Sequence, residues 1–139
     1  MLLKSTCYYF DFLNLYQLIN QSLIFHLKLA DYNQIIENFT FPVSLITSEK
    51  VFSIDTKFGL GFVYKKIRGD LPEFYSYSKW NNIDILLIDK NIAIVNASFS
   101  RYDKDDEKFY DGNGIYQLKK VDTEWKIFSL IPFQSIETL

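Results

Sequence analysis

Four long strand patterns, at about residues 74–88, 92–102, 109–121 and 125–133, fill the second half of this chain, and only short polar turns separate them. The turns are Asp89-Lys90-Asn91, Asp103 to Lys108 and Asp122-Thr123-Glu124. Connections this short join strands that lie side by side in opposite directions, so the pattern predicts a strongly curved, mainly antiparallel sheet built from consecutive hairpins. Such a sheet needs an apolar cover, and helical patterns in the first third of the sequence supply it. The expected fold class is α+β.

Apolar residues at Phe12, Tyr16, Ile19, Leu23 and Leu27 recur every three or four positions and predict a first helix. Asp31 followed by Gln34 reads as a helix start, with Tyr32, Ile35, Ile36 and Phe39 as the apolar stripe of a short second helix that Pro42 ends. Val43 to Thr47 and Val51 to Ile54 form a small hairpin around Ser48-Glu49-Lys50. Thr56 caps a third helix that reaches about Arg68, with Gly69 as a left-handed stop and Pro72 barring continuation. Its two glycines, Gly59 and Gly61, each cost about 1 kcal/mol of helix propensity relative to alanine, so packing has to hold this helix in place.

With 139 residues, 48% of them hydrophobic, the chain supports one core, and residues 1–139 read as a single domain. The net charge of −2 comes from scattered residues, which leaves no basic footprint for nucleic acid. Lys65, Lys66 and Arg68 are the densest basic group and read as complementing the end of a helix dipole. Cys7 is the only cysteine, so an internal disulfide and a multi-cysteine metal site are both ruled out, and a reducing compartment fits. Asp11, Asn14, Gln17 and Asn20 interrupt what a signal peptide would need as its apolar centre, and no apolar run approaches the roughly 20 residues of a membrane span. The expectation is a soluble cytoplasmic protein with no membrane partner.

Ile83-Asp84-Ile85-Leu86-Leu87-Ile88 and Ile92-Ala93-Ile94-Val95-Asn96-Ala97 put apolar side chains on both faces of the sheet. The helices can cover one face. A second copy of the chain is the economical cover for the other, which predicts a homodimer through the sheet.

The order of elements resembles that of the nuclear transport factor 2-like superfamily, including its SnoaL-like members. Ala30-Asp31-Tyr32-Asn33-Gln34-Ile35-Ile36 running into Phe39-Thr40-Phe41-Pro42-Val43 is similar to the family's passage from a short helix through a proline into the first strand. Phe99-Ser100-Arg101-Tyr102-Asp103-Lys104-Asp105, Gly114-Ile115-Tyr116-Gln117-Leu118 and Glu124-Trp125-Lys126-Ile127 resemble its sheet hairpins. The resemblance implies a cone-shaped domain with N-terminal helices packed on the sheet, a pocket between them, and frequently a homodimer. It implies no particular reaction and no cofactor, because the superfamily holds isomerases, dehydratases, hydrolases and members without catalysis.

The candidate residues follow from that pocket. Asp84 lies within a strand, where a charge is costly unless paired or functional, and on strict alternation it shares a face with Trp80. If that face lines the pocket, Asp84 is a general base; otherwise it is a carboxylate paired with a neighbouring strand or set at the solvated sheet edge. His26, the sole histidine, is either a base at the helical rim or a polar residue at the edge of the apolar stripe. Tyr77, Trp80 and Tyr116 are candidates to shape the pocket, and Asn96 to bond a ligand oxygen. Arg101 can anchor a carboxylate or close a salt bridge at the hairpin end, the plainer reading. The run Asp103, Asp105, Asp106, Glu107 is not a calcium loop, because Lys108 and Gly114 stand where an EF-hand needs glycine and a bidentate glutamate. Gly112 and Gly114 read as bulge positions that let the sheet bend. Two functions emerge: a pocket protein for a small apolar or aromatic ligand, with isomerase, dehydratase or cyclase activity within its range, or a non-catalytic interaction module of the same fold.

Overall fold

The computed structural model describes residues 11, 13–19 and 32–133. Residues 13–19 are helical (α1), and two further helices, α2 (Tyr32–Ile36) and α3 (Lys57–Asp70), complete the helical layer among the described residues. The strands are β1 (Phe39–Ile46), β2 (Val51–Ile54), β3 (Tyr75–Asp89), β4 (Ile92–Asp103), β5 (Lys108–Val121) and β6 (Glu124–Phe133). They form one open sheet in the order β2-β1-β6-β5-β4-β3, an α+β architecture. Strands joined by short turns pair antiparallel, β2 and β3 lie at opposite edges, and the β1–β6 pair alone is parallel. At the β5–β6 turn, Asp122 and Thr123 both take positive φ, the backbone of a tight two-residue hairpin whose twist matches its strands.

One face of the sheet carries the core. Ala93, Val95 and Ala97 of β4, Leu118 of β5 and Trp125 and Ile127 of β6 are buried against Leu15 and Ile19 of α1, Ile35 and Ile36 of α2, and Leu60 and Tyr64 of α3. A buried polar contact fixes the α1 end of this layer. Asp11 accepts a hydrogen bond from Trp125 Nε1 at 3.3 Å and pairs with Lys120 Nζ at 2.8 Å. The indole N–H and the carboxylate thus satisfy each other where water has little access.

Two boundaries differ from the sequence reading. Phe39 belongs to β1, not to the second helix, and β1 runs straight through Pro42. The proline is tolerated because neither neighbour pairs with it: the β2 ladder begins at Val43, and the β6 ladder steps from Phe39 to Ser44. Gly69 is not a left-handed stop, since no described glycine has positive φ and α3 continues to Asp70. Pro72 ends the helix by forcing Leu71 into an extended conformation (φ −69°, ψ 138°). The start is as expected, with the Thr56 hydroxyl accepting from Gly59 N at 3.0 Å. Gly61 faces α2, where an added Cβ would make an ordinary contact with Ile36 at 3.8 Å, so the approach of the two helices does not require glycine there.

The loop after β4 is organised around Asp103. Asp103 Oδ1 accepts from the backbone N–H groups of Asp105 and Glu107, at 2.8 and 3.0 Å. Its acidic residues are thus turn formers.

Candidate functional site

Between the core face of the sheet and α3 lies an open cleft of about 860 Å³. Val43 of β1, Leu60 and Tyr64 of α3, Phe99 of β4, Tyr116 of β5 and Leu130 of β6 give it apolar walls. Leu60 and Tyr64 face the sheet together because they lie four residues apart on one helix.

Two glycines make room for the aromatic wall. A Cβ on Gly112 would overlap the tip of the Phe99 ring and lie 2.9 Å from Tyr110 Cε1, so only glycine lets these rings cross the strand here. A Cβ on Gly114 would stand 3.1 Å from the Tyr116 ring. Neither glycine marks a bulge, contrary to the sequence reading: the register shifts fall between Arg101 and Tyr102 in the β4–β5 ladder and between Gln117 and Leu118 in the β5–β6 ladder. Trp80 backs this wall, edge-on to Phe99 at 6.0 Å and to Tyr116 at 6.5 Å.

Burial pushes the Tyr64 hydroxyl well above the usual phenol range, and nearby Tyr116 pushes it further in the same direction. Burial raises Tyr116 likewise. Both hydroxyls keep their protons at neutral pH, and that of Tyr116 can donate to a ligand oxygen. Arg101 also lines the cleft, its guanidinium 4.6 Å from the Tyr110 ring centre and 5.4 Å from that of Phe99. Desolvation by burial lowers its pKa, while Tyr110 and Tyr75 act to raise it. An arginine remains a cation through such opposing effects.

This geometry, a helix-covered open sheet with a cleft at one end of its core face, agrees with what comparison with known proteins finds. The family described as NTF2-like protein (DUF6841) matches residues 15–135. The chain belongs to this NTF2-like family. No curated protein matches its sequence. Among solved structures, a protein of unknown function with a cystatin-like fold from Nostoc punctiforme superposes with a TM-score of 0.75 at 12% identity, covering 92% of this chain and 93% of that one. The hexachlorocyclohexane dehydrochlorinase LinA-type3 from Novosphingobium barchaimii gives 0.73 at 8% identity over 96% and 92% of the two chains. An NTF-2 like protein of unknown function from Shewanella oneidensis gives 0.65 at 16% identity over 86% and 95%. At such identities the likeness is one of fold.

The NTF2-like cleft gathers some of the residues singled out from sequence and leaves others outside. Arg101 and Tyr116 line it, and Trp80 stands behind its aromatic wall. Asp84 and Asn96 do not reach it. Trp80 pairs with Phe99 and Asn82 with Ser98, so Asn81 is an extra residue in β3 and strict alternation breaks there. The face that Asp84 was expected to share with Trp80 is therefore split. Trp80 turns to the cleft side, while Asp84 is exposed on the outer face, opposite Asn96 and accepting a hydrogen bond from Asn82 Nδ2 at 2.8 Å. Tyr77 likewise stays out of the cleft, stacked on Tyr102 at 5.0 Å with its hydroxyl donating to Asp106 Oδ1 at 2.9 Å, the bond that chiefly raises its pKa. His26 lies outside the described residues.

Arg101 forms no ion pair among the described residues, so the expected salt bridge at the hairpin end is absent there. The neighbouring carboxylate in the ladder, Asp111, is taken up by Ser100 at 2.6 Å and Lys108 at 3.2 Å. Sequence reasoning passed over Tyr64, Phe99 and Tyr110. The signal that could have found two of them is Gly112, a glycine inside a strand near aromatic residues that need room to cross it.

Proposed function

We propose that this NTF2-like protein binds a small apolar or aromatic ligand of moderate size in the cleft. The observation that carries the reading is the cleft itself: about 860 Å³, apolar-walled, with few polar groups, among them Tyr64, Tyr116 and Arg101. Binding is supported better than proton abstraction. Among the described residues the lining includes one carboxylate, Asp70, at the exposed end of α3. Isomerase, dehydratase or cyclase turnover would call on Tyr116 as a proton donor and Arg101 as a stabiliser of developing negative charge. A thermal-shift screen of steroids, polyketide-like aromatics and hydroxy acids tests the reading. A ligand at a hundredfold its dissociation constant stabilises the protein by about 2.7 kcal/mol. A flat response across the panel would favour a module that works by association alone.

A second observation supports self-association as well. On the sheet face away from the helices, Leu86 and Ile88 of β3 are 59% and 52% exposed and Ile92 of β4 is 39% exposed. A contiguous apolar face is unusual on a soluble monomer, and a second copy of the same face is its simplest cover. Light scattering at micromolar concentration is expected to report about twice the 16.5 kDa chain mass. Leu86→Glu is expected to shift the protein to monomer by placing a charge in the interface. A wild-type protein that stays monomeric at every concentration would remove this proposal.

A further inference from the structure

Arg101 is held in a setting that costs free energy unless an anion completes it. Its Nε atom is buried and has no acceptor among the described residues. The guanidinium lies against the neighbouring rings of Phe99 and Tyr110, which hold it without giving it a hydrogen-bond acceptor. No described carboxylate pairs with it: Asp111 is bound to Ser100 and Lys108, and Asp70, across the cleft on α3, forms no ion pair with it. A half-buried cation with an unsatisfied N–H destabilises a fold when nothing else offsets it. Most of the other wall groups are apolar, tyrosines that keep their protons, or the uncharged Ser44, Ser53 and Asn113; of the two remaining charged groups, Lys66 favours an anion and Asp70, at the exposed end of α3, is the one carboxylate that opposes it.

From this we infer that Arg101 is the anion anchor of the cleft, and that its ligand carries a carboxylate on an apolar or aromatic body. A carboxylate entering the cleft takes charge-assisted N–H bonds from the guanidinium, which gives the cation the counter-charge that no described carboxylate supplies. The body of the ligand then lies along the aromatic and aliphatic wall of Phe99, Tyr116 and Leu130. The inference rests on the small-molecule reading of the cleft and narrows its ligand class.

The test compares naphthoate with naphthamide, its neutral amide of the same shape, by isothermal titration against the full chain. Wild-type protein is expected to bind the acid about tenfold or more tighter than the amide, the difference made by a charge-assisted pair over a neutral one. Arg101→Met keeps an unbranched chain against the two rings and is expected to abolish that preference while leaving amide affinity nearly unchanged. Arg101→Lys keeps the charge without the planar fork and is expected to fall between them. Equal binding of acid and amide by wild type, or an acid preference that survives Arg101→Met, would overturn the anchor while leaving the cleft a small-molecule site. Binding of neither probe, together with a flat ligand screen, would overturn both. The wild-type comparison needs no variant, so poor folding of a substituted protein leaves the test decisive.

Discussion

Replacing Ile127 with alanine is expected to destabilise the protein by about 2–5 kcal/mol, the usual range for deleting most of a fully buried branched side chain. Ile127 is fully buried, pairs with Leu118 across β5–β6, and lies in the same ladder region where β1 joins β6 in parallel at Phe39. Its neighbours come from three strands and the helical layer, so little can move in to fill the space. For a chain of this length the loss corresponds to a fall in melting temperature on the order of 10 °C. Urea unfolding followed by circular dichroism checks it: the midpoint should drop with the slope unchanged. A loss under 1 kcal/mol would mean that the core on this face is not closely packed.

That prediction rests on a part of the fold that was legible in sequence. The short turns are local signals, and hairpin connectivity converts them into registered neighbours, Leu118 opposite Ala93 and Ile127 opposite Leu118, whereas apolar residues on both faces of β4 left open which face is buried. What was not legible depends on one inserted residue or on a distant partner. Asn81 looks like any polar strand residue, yet as the extra residue of β3 it sends Trp80 to the cleft side and Asp84 to the outer face. Pro42 read as a helix stop because nothing local says that both adjoining ladders skip it. The β1–β6 pairing joins residues more than 80 positions apart and has no turn to announce it. The cleft followed the same division: Arg101 and Tyr116 were found from residue type and strand position, whereas Phe99 and Tyr110 acquire their role only through the empty space above Gly112.

Gly112→Ala is expected to cost about 1–3 kcal/mol by overpacking, although the change adds a single methyl group. Its strand conformation does not require glycine, since its φ is not positive, so the cost arises from the rings above it. The methyl group would displace Phe99, which touches Trp80 on one side and flanks Arg101 on the other, so the variant is also expected to weaken ligand binding in the cleft. A double-mutant cycle separates this from a general effect on β5. With Phe99 replaced by alanine the main obstacle is gone, leaving the Tyr110 contact at 2.9 Å, and Gly112→Ala should then cost much less than in the wild-type background. Chemical denaturation of the four proteins gives the coupling directly. Additive losses would show that Phe99 does not press on this position, and the account of how the aromatic wall holds Arg101 in place would fail with it.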